Sequence, residues 1–198
     1  MRLTAQTQAD LFGSPGLPGL TLAHTVVGPA EEAALIAGID AAGLAPFRYK
    51  QGWTGRRLTA SFGWSYDFDT GGLDPTQKLP DWLLPVRERA ARFAAVSPED
   101  LEQALLIRYD PGAGIGWHRD RPLFEHVIGI SLGAPATMRF RRRRPGGFDR
   151  ASVFLPPRSI YHLTGEARHT WEHSIAPLPE RRWSITFRSL ARKAQAGD

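Results

Sequence analysis

The sequence predicts a mainly β chain with flanking helices, a sandwich or barrel rather than a Rossmann-type sheet. Three observations carry this expectation. After Leu101 the chain is a series of short β-rich runs separated by Gly- and Pro-containing turns. Helical patterning is confined to two stretches before that point. The 198 residues, 42% hydrophobic and 23% charged, have ordinary globular composition, and a chain of this length buries about 70% of its unfolded surface without help from disulfides.

Residues 1–28 read as an N-terminal tail, polar at first and then a Pro/Gly-punctuated apolar stretch with no clear period. One domain is expected over 29–192, with helices in its 29–100 part and strands in 101–192. Pro29 opens a helix with Glu31 and Glu32 in its first turn, where they suit the helix dipole. Leu35, Ile36 and Ile39 give that helix an apolar stripe, and Gly43 supplies its stop. A second helix is expected over 83–95, with Arg87, Arg89 and Arg92 among apolar positions. Strands follow near 104–109, 126–132, 136–142, 151–155, 158–163, 171–176 and 182–190.

The formal net charge is +5. Only Lys50, Lys78 and Lys193 are lysines, so 22 of the 25 basic residues are arginine. The planar guanidinium fork suits phosphates and carboxylates, although a GC-rich genome favours arginine as well. The absence of cysteine excludes thiolate metal sites, cysteine nucleophiles and disulfide frameworks. No apolar run approaches the ~20 residues of a membrane span, and the N-terminus lacks the apolar segment of a signal peptide. The expectation is a soluble cytoplasmic monomer with no membrane contact.

Chemistry is concentrated after residue 108. The segment Tyr109-Asp-Pro-Gly-Ala-Gly-Ile-Gly-Trp-His118-Arg-Asp120 ends a strand and enters a Gly-rich loop. Residues two apart on extended chain face one side, so His118 and Asp120 can bite one metal ion. A second imidazole would complete the facial triad of non-haem Fe(II) oxygenases, which leaves three coordination sites open. His162, His169 and His173 are the downstream candidates. His169 and His173 would pair on a helix, but Thr170 and Trp171 favour strand there. Further on, Arg182, Ser184, Thr186 and Arg188 share one face of a strand, with Trp183, Ile185 and Phe187 on the other.

The combination of H-x-D, a histidine some fifty residues later and R-x-x-x-x-x-R shortly after it resembles the AlkB family of iron- and 2-oxoglutarate-dependent dioxygenases. The matching stretches are LIRYDPGAGIGWHRD, GISLG, RFRR, HSIAPL and RRWSITFR, within residues 104–190. GRRLTASFGWSYDF is more loosely similar to the family's nucleotide-recognition lid. The resemblance implies a double-stranded β-helix, or jelly roll, with His118, Asp120 and His173 as ligands of Fe(II). It implies Tyr109 and Arg182 as holders of 2-oxoglutarate, with Arg188 near the metal-proximal carboxylate and Thr186 supporting the pocket. O2 would be the other co-substrate, and oxidative dealkylation of bases in DNA or RNA the expected activity. Two departures stand out. Ile107 occupies the position of a cofactor-binding asparagine in familiar members. The loop after Asp120 reads Arg121-Pro-Leu-Phe-Glu125, without the acidic residue that repair members carry just past the aspartate. The same chemistry on a protein or small molecule, or a non-catalytic nucleic-acid-binding module, are the alternatives.

On the substrate side, Phe62, Trp64, Tyr66 and Phe68 alternate as if on one strand face, a stacking surface for a flipped base or a core-packing face. Tyr66 and Trp64 are taken as base contacts, with Arg57 and its neighbour Arg56 as phosphate contacts. In the tract Arg139–Arg144, alternation sends Arg139, Arg141 and Arg143 to one side and Arg142 and Arg144 to the other, with Arg141 as a further substrate contact.

Overall fold

The computed structural model describes residues 16–48, 54–67 and 71–191. Two antiparallel sheets face one another. The major sheet runs, in spatial order, β1 (Leu20–Ala23), β11 (Ser159–Leu163), β8 (Phe124–Gly133), β13 (Arg182–Leu190), β6 (Gln103–Tyr109), β3 (Thr54–Phe62) and β2 (Ala45–Arg48). The minor sheet is β10 (Gly147–Leu155), β9 (Ala136–Arg144), β12 (Glu172–Ile175) and β7 (Ile115–His118). A separate hairpin pairs β4 (Trp64–Tyr66) with β5 (Leu73–Pro75). This is the mainly β jelly roll expected from the sequence, and no helix among the described residues is long and apolar enough to cross a membrane.

Alternation along the strands makes two cores. Ile128, Ile130 and Leu132 of β8, with Ile185 and Phe187 of β13, turn to the back of the major sheet. There they meet Leu35 and Ile39 of α1 (Pro29–Asp40) and Val86, Ala90 and Ala91 of α2 (Leu84–Ala94). Leu105, Ile107 and Val127 turn the other way, toward Met138, Phe140, Val153, Leu155 and Ile175 of the minor sheet. Glu31 and Glu32 serve tertiary contacts as well as the helix dipole. Glu31 pairs with Arg89 of α2 at 2.8 Å, and Glu32 accepts the Gly133 amide at 2.9 Å and pairs with Arg158 at 3.1 Å.

Two expectations are changed by the structure. The tail is shorter than 28 residues, because Leu20–Ala23 pairs with Ser159–Leu163 at the sheet edge and buries Leu20. Residues 1–15 lie outside the described residues. The aromatic run is not one strand: Gly63, at φ +77°, breaks it between β3 and β4. Phe62 sinks into the core behind the sheet, while Phe68 lies outside the described residues. The strand expected over 171–176 is present as β12 and carries His173, while His169 ends a short helix, α3 (Gly165–His169), so the two do not share a helix face.

His162 of β11 is buried on the helix-facing side of the major sheet, 2.9 Å from His126 across the strands. Burial first, and His126 second, push its pKa from 6.5 down to about 4. The unfolded chain therefore takes up a proton that the folded chain refuses. This contribution to stability is fully present above pH 6.5 and is lost as pH falls from there toward 4. In metal-free protein, His162→Gln should show a smaller drop in melting temperature between pH 7 and pH 5 than the wild type. An unchanged drop would mean His162 does not carry this loss.

Candidate active site

Between the sheets lies a cavity of about 740 Å³. β13 supplies one wall, because the polar face read from its sequence, Arg182, Ser184, Thr186 and Arg188, turns inward. β7 and β12 supply the opposite wall. They pair with His118 directly across from His173, and a register shift between that pair and Ile115–Ile175 bends β7 where the loop to Asp120 departs. The ligand atoms of His118, Asp120 and His173 all lie within 4.8 Å of one another. Among the described residues they are the only group of three such side chains placed to hold a metal ion. His162 and His169 are not part of it.

Each donor is prepared for coordination by a neighbour. The Nδ1–H of His118 donates to the Gly116 carbonyl at 2.9 Å, which leaves Nε2 for a metal. Burial lowers the pKa of His118 and takes that of His173 to about 3, so both imidazoles are neutral near pH 7, as metal ligands must be. Burial would push the Asp120 carboxyl up, but Arg188, His173, His118 and Arg168 together outweigh it and hold the group well below the usual carboxylate range. The Arg188 guanidinium reaches Oδ1 of Asp120 at 2.8 Å, while Oδ2 faces Nε2 of His173 at 3.6 Å. One carboxylate oxygen is thus held by arginine and the other is turned toward the histidines.

Arg188 has a further role beside the one expected for it. It orients the metal-ligating carboxylate, and its Nη1 donates to Gln103 at 2.9 Å. Gln103 in turn donates to the Trp64 carbonyl at 3.1 Å, which ties the β4 hairpin to the cavity floor. Arg182 is different. It is 1% exposed, donates from Nε to Ser131 at 3.1 Å, and lies over the Tyr109 ring. Its Nη1 is buried without a hydrogen-bond partner, and no ion pair among the described residues includes it. A buried cation in this state is costly unless a ligand anion completes it. The three donors and this guanidinium fit a divalent metal and a carboxylate co-substrate in one cavity. Ile107 lines the same wall, beside Ser184, and offers the co-substrate only apolar contact.

The substrate-side expectations divide. Tyr66 lines the cavity, and Arg121 lies over its ring at 4.6 Å, closing the lip from the loop after Asp120. Trp64 does not join it: its indole donates to Glu102 at 3.4 Å, outside the cavity lining. Arg57 is inside the cavity rather than on the surface, buried and stacked on Phe47 at 4.1 Å, while Arg56 stays exposed. Arg141 is not a cavity residue. It lies on the outer face of the minor sheet, paired with Glu172 at 2.6 Å, because its neighbour Phe140 takes the inward position against His173. Glu125 does not fold back into the site; it faces His169 at 3.0 Å on the surface.

Sequence reasoning missed three cavity or supporting residues. Asp67 lines the lip beside Tyr66. Tyr161 fills the floor because Gly129 opposite it has no Cβ, which would fall within the phenol ring; burial pushes its pKa to about 12 and keeps it neutral. Arg168 of α3 is fully buried and donates to the carbonyls of Asp120 (3.1 Å), Arg121 (2.5 Å) and Phe124 (2.5 Å), clamping the loop that carries Asp120. The signal for Gly129 was present in GISLG, but nothing local marks Arg168. Arg168→Met should weaken Fe(II) binding by about 10- to 100-fold, the usual effect of losing a group that positions a ligand. Anaerobic Fe(II) titration checks this, and unchanged affinity would show that the loop holds its place without the clamp.

Comparison with known proteins gives a consistent picture. The family model described as 2OG-Fe(II) oxygenase superfamily matches residues 20–188. The chain is 30% identical over 185 residues to "Alkylated DNA repair protein ALKBH8 homolog" of Arabidopsis thaliana, covering 80% of this chain and 51% of that protein. It is 31% identical over 170 residues to "tRNA (carboxymethyluridine(34)-5-O)-methyltransferase alkbh8" of Xenopus tropicalis, covering 83% of this chain and 26% of the relative. It thus spans about half and a quarter of these two proteins. It is also 30% identical over 158 residues to "Alpha-ketoglutarate-dependent dioxygenase AlkB" of Salmonella typhimurium, covering 72% of this chain and 68% of that one. Among solved structures, "The structure of OsALKBH1" shares the fold with a TM-score of 0.67 at 15% identity, over 87% of this chain and 97% of that one.

Proposed function

Since this chain belongs to the 2OG-Fe(II) oxygenase superfamily and is an AlkB-like 2-oxoglutarate-dependent dioxygenase, with Fe(II), 2-oxoglutarate and O2 as its cofactors, we propose that it removes alkyl groups oxidatively from N-alkylated bases in DNA or RNA. The observation that carries the substrate side is the cavity lip, where Tyr66 and Arg121 present a stacked ring and cation in the same cavity as His118, Asp120 and His173. Such a lip suits the flat face of an unstacked base. The names of the relatives point the same way, to alkylated DNA in one and tRNA in another.

The bound metal and its co-substrates supply an oxidant for a C–H bond and yield succinate and CO2. The chain's own residues do the rest. His118, Asp120 and His173 hold the metal on one side, leaving its other side to the cavity. Arg182 grips the distal carboxylate of 2-oxoglutarate, with the Tyr109 ring beside it. Arg188 keeps Asp120 ionised and turned. Phe140, Met138 and Ile175 exclude water from the inner wall. Tyr66 and Arg121 position the base so that its alkyl group meets the metal side of the cavity. A hydroxylated N-methyl group then breaks down to formaldehyde and the bare nitrogen.

A second reading keeps the chemistry and changes the target to a protein or small molecule. Arg121 and Pro122 favour it, since they stand where an acidic base-reading residue would be, and Glu125 is engaged elsewhere. The test is anaerobic reconstitution with Fe(II) and 2-oxoglutarate, then assay of succinate and formaldehyde with oligonucleotides carrying 1-methyladenine or 3-methylcytosine. Matching amounts of both products support base dealkylation. Succinate without formaldehyde favours the second reading.

A further inference from the structure

The arginine-rich hairpin of β9 and β10 is sorted by strand alternation into two sets with different surroundings. Arg142 and Arg144 point to one side and are neutralised there. Arg142 pairs with Asp149 at 3.1 Å and with Glu166, and Arg144 pairs with Asp149 at 3.0 Å. Arg139, Arg141 and Arg143 point to the other side, the outer face of the minor sheet. Register places Arg150 of β10 beside Arg141 and Phe148 beside Arg143, so a fourth arginine and a ring join the same face. Of these four cations only Arg141 has a carboxylate partner among the described residues, Glu172. Arg139, Arg143 and Arg150 are all exposed.

Rings and cations interleave along this face. Phe148 lies under Arg141 (4.9 Å), Arg143 (5.4 Å) and Arg150 (5.7 Å), and Trp117 lies under Arg141 (4.5 Å) and Arg139 (5.2 Å). The rings hold the long side chains against the sheet, which lowers the entropy lost when they engage an anion. Alternate residues of a strand repeat at about 7 Å, so Arg139 to Arg143 present three guanidinium groups along about 13 Å, the middle one paired with Glu172. Trp117 is the junction. It also lines the cavity, and it immediately precedes His118.

We propose that the outer face of the minor sheet, formed by Arg139, Arg141, Arg143 and Arg150 over Phe148 and Trp117, is a track for the single-stranded nucleic-acid backbone that flanks the nucleotide seated in the cavity. This rests on the base-dealkylation reading, since it extends that substrate beyond its reacting unit. Planar cations backed by rings, spaced along a flat strand and leading to the mouth of a site, suit a flexible polyanion with stackable bases. An acidic peptide would be served by the charge but would have no use for the rings.

The test measures binding of a 12-nucleotide single strand and of a trinucleotide, both carrying the alkylated base, to wild type and to the double variant R143A/R150A over a range of salt. Neither substituted arginine has an ion pair to break among the described residues. Wild type should prefer the longer strand by tenfold or more, and the double variant should lose most of that preference. Its log–log salt slope for the 12-mer should fall by about 1.4, the release expected for two phosphate contacts on a single strand. Arg92→Ala, on α2 behind the other sheet, controls for the loss of one positive charge, half the change in the double variant. Equal affinity of R143A/R150A and wild type for the 12-mer, or an equal loss in Arg92→Ala, would overturn the track while leaving the dealkylation reading intact. A wild type that binds neither strand but captures a poly-glutamate peptide through these arginines would overturn both.

Discussion

His118→Ala and Asp120→Ala should each reduce 2-oxoglutarate-dependent succinate formation by about 10³-fold or more, the several kcal/mol that a bound catalytic metal supplies. The two variants should differ in stability. Among the described residues His118 makes one side-chain hydrogen bond, to the Gly116 carbonyl, and its loss leaves little unsatisfied. Asp120 is the ion-pair partner of Arg188, and removing it leaves a nearly buried guanidinium uncompensated. Breaking a buried pair from one side costs about 3–5 kcal/mol, so Asp120→Ala should also melt well below the wild type. Succinate assay and thermal denaturation on the same preparations separate the two effects. Turnover retained in His118→Ala, with iron still bound, would remove that histidine from the metal site.

Arg182→Met should act in opposite directions on function and stability. Truncating one partner of a buried, hydrogen-bonded charge pair costs about 2–5 kcal/mol, so the KM for 2-oxoglutarate should rise by about 30-fold to several thousandfold. The ligand-free protein, by contrast, should melt higher than the wild type. Its Arg182 is a buried charge with an unpartnered Nη1, and apolar replacements of buried ionic groups are often stabilising by about 1–4 kcal/mol. Steady-state kinetics against 2-oxoglutarate and melting without it give both answers. An unchanged KM would place the co-substrate clamp elsewhere. A lower melting temperature would mean that the Ser131 hydrogen bond outweighs the cost of the buried charge.

Much of the jelly roll was legible because its strands bury one face and obey period two. Arg182 to Arg188 could be read directly as a polar face behind an apolar one, and β13 has that arrangement. β3 escaped as a strand for the opposite reason. Its inward residues, Arg57, Thr59 and Ser61, line a polar cavity, and of the alternating Leu58, Ala60 and Phe62 only Phe62 is buried, so its core face is weakly marked. β1 escaped because prolines and glycines precede a strand of only four residues. His118 and Asp120 were legible as local spacing, while spacing leaves the third donor open among His162, His169 and His173, and the family resemblance points to His173. Arg168, Asp67 and Tyr161 were not legible, since what each does depends on a segment distant in sequence or on a turn. Trp64 and Arg141 were assigned to the substrate from alternation alone; Gly63 broke the first pattern, and the inward turn of Phe140 reversed the second.

The pairing of Arg188 with Asp120 has an electrostatic consequence for the whole cavity. With both histidines neutral, the donor set and its arginine sum to zero formal charge, and the buried Arg182 and Arg57 add two positive charges nearby. A dication entering alone would raise an already positive, poorly solvated interior. A dicarboxylate entering with it brings the interior back to its starting charge. Occupancy by either therefore favours occupancy by the other, and by thermodynamic reciprocity the enhancement is the same factor in both directions. Iron retention in such a cavity should therefore rise with the concentration of 2-oxoglutarate.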